Sequence, residues 1–274
     1  MTTATTVPEP RSRAPWGQRT GRAAWSLILP VALVVGYQVW SSGAHNPYFP
    51  TIPTMLGAFR ETWLGEGFTR DVVPSLANLV RGYLLGLVLG VLAGVALGRL
   101  GALRRAASPV VSFFLTLPAV ALLPLFVLVL GIGTSLQVGV IAFAVFFYVL
   151  VTTADAVRTI EPVLLDVAAS FHVRGWRRLL LVLLPSAVPQ ILSAARVTLS
   201  IAILVMVVSE MVGASRGIGA ATLLAQQSFD YDQMWAGMLL LAVLGVGLNA
   251  AFSAGERRLL AHAGYTSTTT GGAP

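Results

Sequence analysis

Forty-nine consecutive residues, 106 to 154, pass without one charged side chain between Arg105 and Asp155. At 1.5 Å per residue a single helix of that length would reach about 74 Å, more than twice the ~30 Å hydrocarbon core of a bilayer. The run must therefore turn back on itself. Gly131-Ile132-Gly133-Thr134-Ser135 supplies turn residues near its middle, dividing it into spans at about 106–130 and 136–156. Further apolar runs of spanning length lie at 23–42, 76–98, 191–213 and 234–256. In lipid every backbone polar group must be satisfied within the protein, so runs of this length are read as helices. The expectation is an all-α membrane protein with six transmembrane helices.

Composition enters as a check. The chain is 56% hydrophobic and 11% charged, where a soluble domain carries about 25% charged residues. Those values exclude a disordered chain, a collagen-like chain and an ordinary soluble enzyme. There is no cysteine, which removes disulfides, thiol nucleophiles and thiolate metal sites. Net charge is +7, and all eighteen basic residues are arginine. A nucleic-acid partner is not expected, because the arginines are scattered between apolar runs and not gathered on one soluble face.

The arginines also orient the chain. With six spans and the N-terminus inside, fourteen lie on the inner side: Arg11, Arg13, Arg19, Arg22, Arg99, Arg104, Arg105, Arg158, Arg174, Arg177, Arg178, Arg196, Arg257 and Arg258. Four, Arg60, Arg70, Arg81 and Arg216, lie outside or at an outer span end. Both termini are therefore expected in the cytoplasm, with disordered tails at 1–22 and 263–274. The first span reads as an uncleaved anchor, its 18-residue run being longer than a signal-peptide core. The uncharged stretch 179–195 is a rival seventh span. Pro185 and Pro189 stand four apart within it, so it is read as an interfacial or buried approach to the fifth span, with the preceding helix ended by Pro185.

Several span residues stand out. Gly82, Gly86, Gly90, Gly94 and Gly98 recur every four positions, forming a smooth helix face that another backbone can approach closely. Pro118 and Pro124 interrupt the third span and mark either a wall of a translocation path or a kinked packing helix. Arg81 and Glu210 sit at similar depth in the outer third. Intramembrane charges are costly, so they either pair with each other or reach the headgroup region separately. Met55, Leu56, Phe59 and Trp63 recur at helical spacing in the first outer loop and predict a short interfacial helix. The second outer loop, 214–233, holds Asp230 and Asp232 with no histidine nearby.

No catalytic or metal constellation is found, and no cofactor is expected. His45, His172 and His262 are far apart in sequence and outside the spans. With no lysine the chain cannot form a GxxxxGK[ST] phosphate loop, so any ATP used must be hydrolysed in another chain. The inner loop 158–189 is the informative stretch. Pro162 opens a short helix over 163–171, a break follows near His172–Gly175, and a second helix covers 176–184. This helix-turn-helix is read as a docking element for another protein.

The loop resembles the EAAxxxG…LP element of binding-protein-dependent ABC importer permeases. Asp166, Val167 and Ala168 stand at the EAA position, with Ala169 next to them. Leu184 and Pro185 follow eighteen and nineteen residues after Asp166, His172 takes the pattern's glycine position, and Gly175 lies three residues later. Asn46-Pro47-Tyr48-Phe49-Pro50, the Leu117–Phe126 string and Ser209–Gly219 are similar to the nitrate/sulfonate/taurine branch. That resemblance implies a type I, methionine-permease-like bundle working as a homodimer in the bacterial inner membrane. It implies partners as well: ABC ATPase subunits docked on the loop through Asp166 to Pro185, an extracytoplasmic solute-binding protein, and a small-molecule substrate such as a sulfonate, taurine or nitrate. Membrane lipid surrounds the whole. A secondary transporter or channel without an ATPase is the alternative class; no internal repeat of that class is seen.

Overall fold

The computed structural model describes residues 17–44 and 46–262. The tail segments at 1–16 and 263–274 lie outside the described residues, as does His45. Residues 17–22, expected to belong to a tail, are helical. The chain forms two compact units, Met1–Thr54 and Met55–Pro274.

The first unit is built on α1 (Gly17–Ala44), whose described apolar stretch is Ile28–Ala44. The segment after it folds back on the helix end. Tyr37 donates its hydroxyl to the Pro50 carbonyl at 2.8 Å, and Ser41 donates to the Phe49 carbonyl at 2.8 Å. The rings of Trp40 and Phe49 meet edge to face at 5.2 Å. An Asn-Pro turn thus ends the helix and satisfies its own carbonyls.

Every element of the second unit among the described residues is helical. Most of α2 (Ile52–Trp63) belongs to it. A wide π-type turn at Phe68–Val72 leads into α3 (Val73–Arg99), giving one continuous helix Phe68–Arg99. Next come α4 (Gly101–Thr116), a 3-10 turn Ala119–Leu122 and α5 (Leu123–Leu130). After them run α6 (Thr134–Arg158), α7 (Pro162–Ser170), α8 (Gly175–Arg178), α9 (Leu184–Gly213), α10 (Ile218–Gln227) and α11 (Tyr231–His262). Among the described residues, four helices are long and apolar enough to cross a membrane, and a fifth span arises if the bent α4–α5 pair counts as one.

The core lies where α3, α6 and α9 meet, around Leu79, Val140, Ile141, Val145, Leu199 and Met206. Its closest seam is made by glycine. A Cβ on Gly86 would stand 2.5 Å from the Ala142 carbonyl oxygen, and one on Gly94 would stand 2.6 Å from that of Leu150. On Gly82, Gly90 and Gly98 it would stand 2.9 Å from the carbonyl oxygens of Val138, Phe146 and Ala154. The approached carbonyls repeat every four residues on α6 as the glycines do on α3. Two backbones therefore run side by side through five turns, an approach only small residues permit.

Three features depart from the sequence reading. First, the helix does not stop at Pro185. Residues Gly175–Gly213 form one continuous 39-residue helix, through Pro185 and Pro189. A π-type turn at Leu179–Leu183 precedes Pro185, and such a widened turn accommodates the missing N–H and the bulk of the ring. Second, the third span is bent by 92° between α4 and α5. Pro118 excludes the helical region for the residue before it, and Leu117 is extended at φ −85, ψ 122. Third, the second outer loop contains a helix, α10. The interfacial helix forms as α2, but Trp63 is buried in a second core with Val72, Ile218, Ala236 and Leu240.

Candidate functional site

Two structures at opposite ends of the long α8–α9 helix stand out. At its C-terminal end, α10 begins with Gly217, Ile218 and Gly219, whose N–H groups have no partner within their own helix. Three side chains from other elements take them. The Gly217 N–H donates to Asp71 Oδ1 at 3.0 Å, the Ile218 N–H to Ser75 Oγ at 3.0 Å, and the Gly219 N–H to Glu210 Oε2 at 2.8 Å. Ser75 in turn donates to the Asp71 carbonyl at 2.9 Å. All three side chains are buried, Glu210 to 1% exposure.

The glycines make this clamp possible. Gly217 sits at φ +133, where a Cβ would lie 2.6 Å from the Glu210 carboxyl carbon. A Cβ on Gly219 would lie 2.4 Å from the Val207 carbonyl oxygen. Carboxylates at a helix N-terminus are electrostatically favoured. The end of α10 is thus already occupied by side-chain oxygens of this chain. What the clamp does is join α3, α9 and α10 into one body. Beside it opens a cleft of about 590 Å³ with Arg70, Asp71, Glu66 and Gln227 in its wall.

The structure does not bring Arg81 and Glu210 together. Arg81 is exposed on α3 and no ion pair joins it to Glu210. Glu210 is directed instead at α10. Asp71 and Ser75, which complete the clamp, precede the apolar run at 76–98 and so give no signal through run length. Their i, i+4 spacing on one helix face was the available signal. A buried amide pair was missed as well: Asn78 Nδ2 donates to Gln137 Oε1 between α3 and α6. Pro118 and Pro124 are exposed, at the bend and in the first turn of α5.

At the N-terminal end of the long helix, α7 is closed by a left-handed residue. His172 has φ 56. Its N–H bonds the Ala169 carbonyl at 3.0 Å, and the Val173 N–H bonds the Ala168 carbonyl at 2.9 Å. This is the two-bond Schellman closure, with histidine where glycine is usual. Gly175, at φ 60, then starts α8. Ala168 is buried toward the body of the protein, whereas Asp166 and Ala169 are exposed. Val163, Val167 and Phe171 recur every four residues and are all exposed, Phe171 to 78%. Leu179 and Leu183 are buried and anchor the element, while Leu184 and Pro185 are half-buried in the helix itself. An apolar stripe on a short helix, closed by a capped turn, is thus left exposed in the chain.

Residues 86–260 match the family described as "Binding-protein-dependent transport system inner membrane component". The chain belongs to this family. It is an ABC importer permease, a multi-pass inner-membrane transport subunit. A protein of Bacillus subtilis (strain 168) described as an aliphatic sulfonates transport permease is 29% identical over 87% of this chain and 88% of its own length. The riboflavin transport system permease protein of Chloroflexus aurantiacus is also 29% identical, over 87% of this chain and 91% of its own. In fold, the permease is similar to an inward-facing structure of the methionine ABC transporter MetNI. The TM-score is 0.62 at 22% identity, covering 73% of this chain and 97% of that one.

Proposed function

We propose that this permease forms half of a homodimeric path for a small anion, an aliphatic sulfonate, taurine, nitrate or a similar solute, and that a separate ATPase drives it. Six spans with both termini in the cytoplasm put α7 on the inner face and the clamp on the outer face. ATPase subunits dock on the α7–α8 element through the Val163, Val167 and Phe171 stripe, with Asp166, Ala169, His172 and Gly175 shaping its rim. An extracytoplasmic solute-binding protein delivers the solute at the outer end.

One observation carries this reading. The helix Gly175–Gly213 is continuous over 39 residues, about 58 Å, and it joins the exposed inner element to Glu210 in the outer clamp. Closure of ATPase subunits at one end is then transmitted to the other as movement of a rigid body. The chain, with no lysine, holds no phosphate loop of its own. The sulfonate assignment rests on the Bacillus subtilis relative, and the equal identity of the riboflavin relative makes substrate a matter for direct measurement.

The test is reconstitution in liposomes with an ABC ATPase and a solute-binding protein from the same organism. Uptake is expected only with ATP and all three components. Uptake of solute by the permease alone would contradict it and favour a secondary transporter. Ligand binding by the partner protein, scanned over sulfonates, taurine, nitrate and riboflavin, decides the substrate class separately.

A further inference from the structure

A second cleft of about 370 Å³ opens between α4 and the inner end of α6. Its mouth holds Arg104, Arg105 and Arg158, and Ser108 and Ser112 follow along α4. Asp155 is the one carboxylate in its wall, and it lies 3.4 Å from Arg158. Among the described residues, no ion pair is made by Arg104 or Arg105. The rest of the wall is apolar, with Leu97, Val111, Leu115, Leu150 and Val151. Leu115 stands eleven positions beyond Arg104, about 16 Å along the helix. Among the described residues, none of α4 is buried.

The cleft is therefore graded from guanidinium through hydroxyl to hydrocarbon. A soluble anion would use the mouth alone and leave the apolar end wet. A neutral lipid would use the apolar end and leave uncompensated charge at the mouth. We propose that this cleft binds an anionic phospholipid of the inner leaflet. Its phosphate is held by Arg104 and Arg105, which can chelate phosphate oxygens with paired N–H groups, and one acyl chain lies against Leu115 and Val151. The proposal rests on the topology that places these arginines on the cytoplasmic side, and it is independent of the transported solute.

The test uses the assembled transporter in mild detergent, titrated with phosphatidylglycerol or phosphatidylcholine of the same chains and read by native mass spectrometry. Phosphatidylglycerol is expected to bind in preference to phosphatidylcholine. The Arg104→Gln, Arg105→Gln double variant is expected to weaken it about 30-fold, roughly 2 kcal/mol at one tenfold step per 1.4 kcal/mol. Arg257→Gln with Arg258→Gln, which removes two inner arginines outside the cleft, is expected to leave binding unchanged. An equal loss in that control would mean diffuse attraction and overturn the site. So would equal binding of the two lipids, or displacement of phosphatidylglycerol by millimolar taurine or inorganic phosphate, which would make the cleft a soluble-anion site. Should the glutamine variant not assemble, Ser112→Trp fills the groove and keeps every arginine. It is expected to lower occupancy of phosphatidylglycerol, and unchanged occupancy would overturn the proposal.

Discussion

Replacing Gly86 by alanine adds one methyl group at the tightest point of the α3–α6 seam. That carbon would stand 2.5 Å from the Ala142 carbonyl oxygen, 2.8 Å from Val145 Cβ and 3.1 Å from Ala142 Cα. Ordinary contact begins at 3.4 Å, so the helices must part by up to 0.9 Å (3.4 less 2.5). None of the three atoms can swing aside, because two belong to the backbone and the third is the branch point of a valine. Overpacking of this kind costs about 1–3 kcal/mol. The better helix propensity of alanine returns at most about 1 kcal/mol. A net loss of up to about 2 kcal/mol follows, or up to about 8 °C in melting midpoint for a protein of this size.

The assay is thermal denaturation of the purified permease in detergent, followed by loss of the monodisperse peak. Gly57→Ala is the matched control, since a Cβ there meets nothing within 4 Å, and it is expected to be neutral or slightly stabilising. Gly86→Ala with Gly94→Ala should cost less than the sum of the two, because parting the helices at one site relieves the other. If Gly86→Ala melted with the wild type or with Gly57→Ala, the seam would not be as tight as described and the reasoning would fail.

Other expected outcomes follow from the two ends of the lever. Ala168→Pro removes an N–H from the middle of α7 and costs about 3 kcal/mol locally; loss of ATPase co-purification with the bundle still folded is expected, and intact assembly would contradict a docking role for α7. His172→Gly relieves a left-handed residue worth about 1 kcal/mol and should slow amide exchange at Val173; faster exchange would show that the turn is unstrained. Asp71→Ala and Glu210→Ala each leave a buried α10 N–H without a partner at about 1–3 kcal/mol. Because they hold one helix end, the double variant is expected to be less costly than the sum, and strict additivity in melting would mean that they act separately.

Much of the helical framework was legible because apolar run length reports directly on spanning helices. The runs read at 76–98 and 136–156 fall within α3 and α6, and the four-residue glycine period pointed to a close backbone approach. What escaped depends on contacts distant in sequence. Pro185 signals a helix end when judged locally, yet the widened turn before it carries the helix on. Pro118 signals a kink, but the 92° bend depends on how α5 packs afterwards. Glu210 was visible as a costly intramembrane charge, and pairing it with Arg81 was the simplest local solution. Its real partner is a backbone N–H at the start of α10, a helix that a stretch rich in glycine and serine had concealed. Asp71 lies 146 residues from the amide it caps, and no spacing rule reaches that far. The docking stripe was partly visible, since Val163, Val167 and Phe171 share a face by their period, but their exposure required the fold.

The most direct measurement uses the absence of cysteine from the chain. A single Phe171→Cys variant places a unique thiol on the exposed stripe of α7. A Phe229→Cys variant places one just after α10, at a side chain that is 75% exposed, near the other end of the lever. With the ATPase co-expressed and carrying single cysteines along its surface, Phe171→Cys is expected to form a specific disulfide whose yield changes with ATP, and Phe229→Cys none. Cross-linking from Phe229→Cys but not from Phe171→Cys, or ATP-driven uptake with no ATPase contact at α7, would contradict the assignment of α7 as the coupling element.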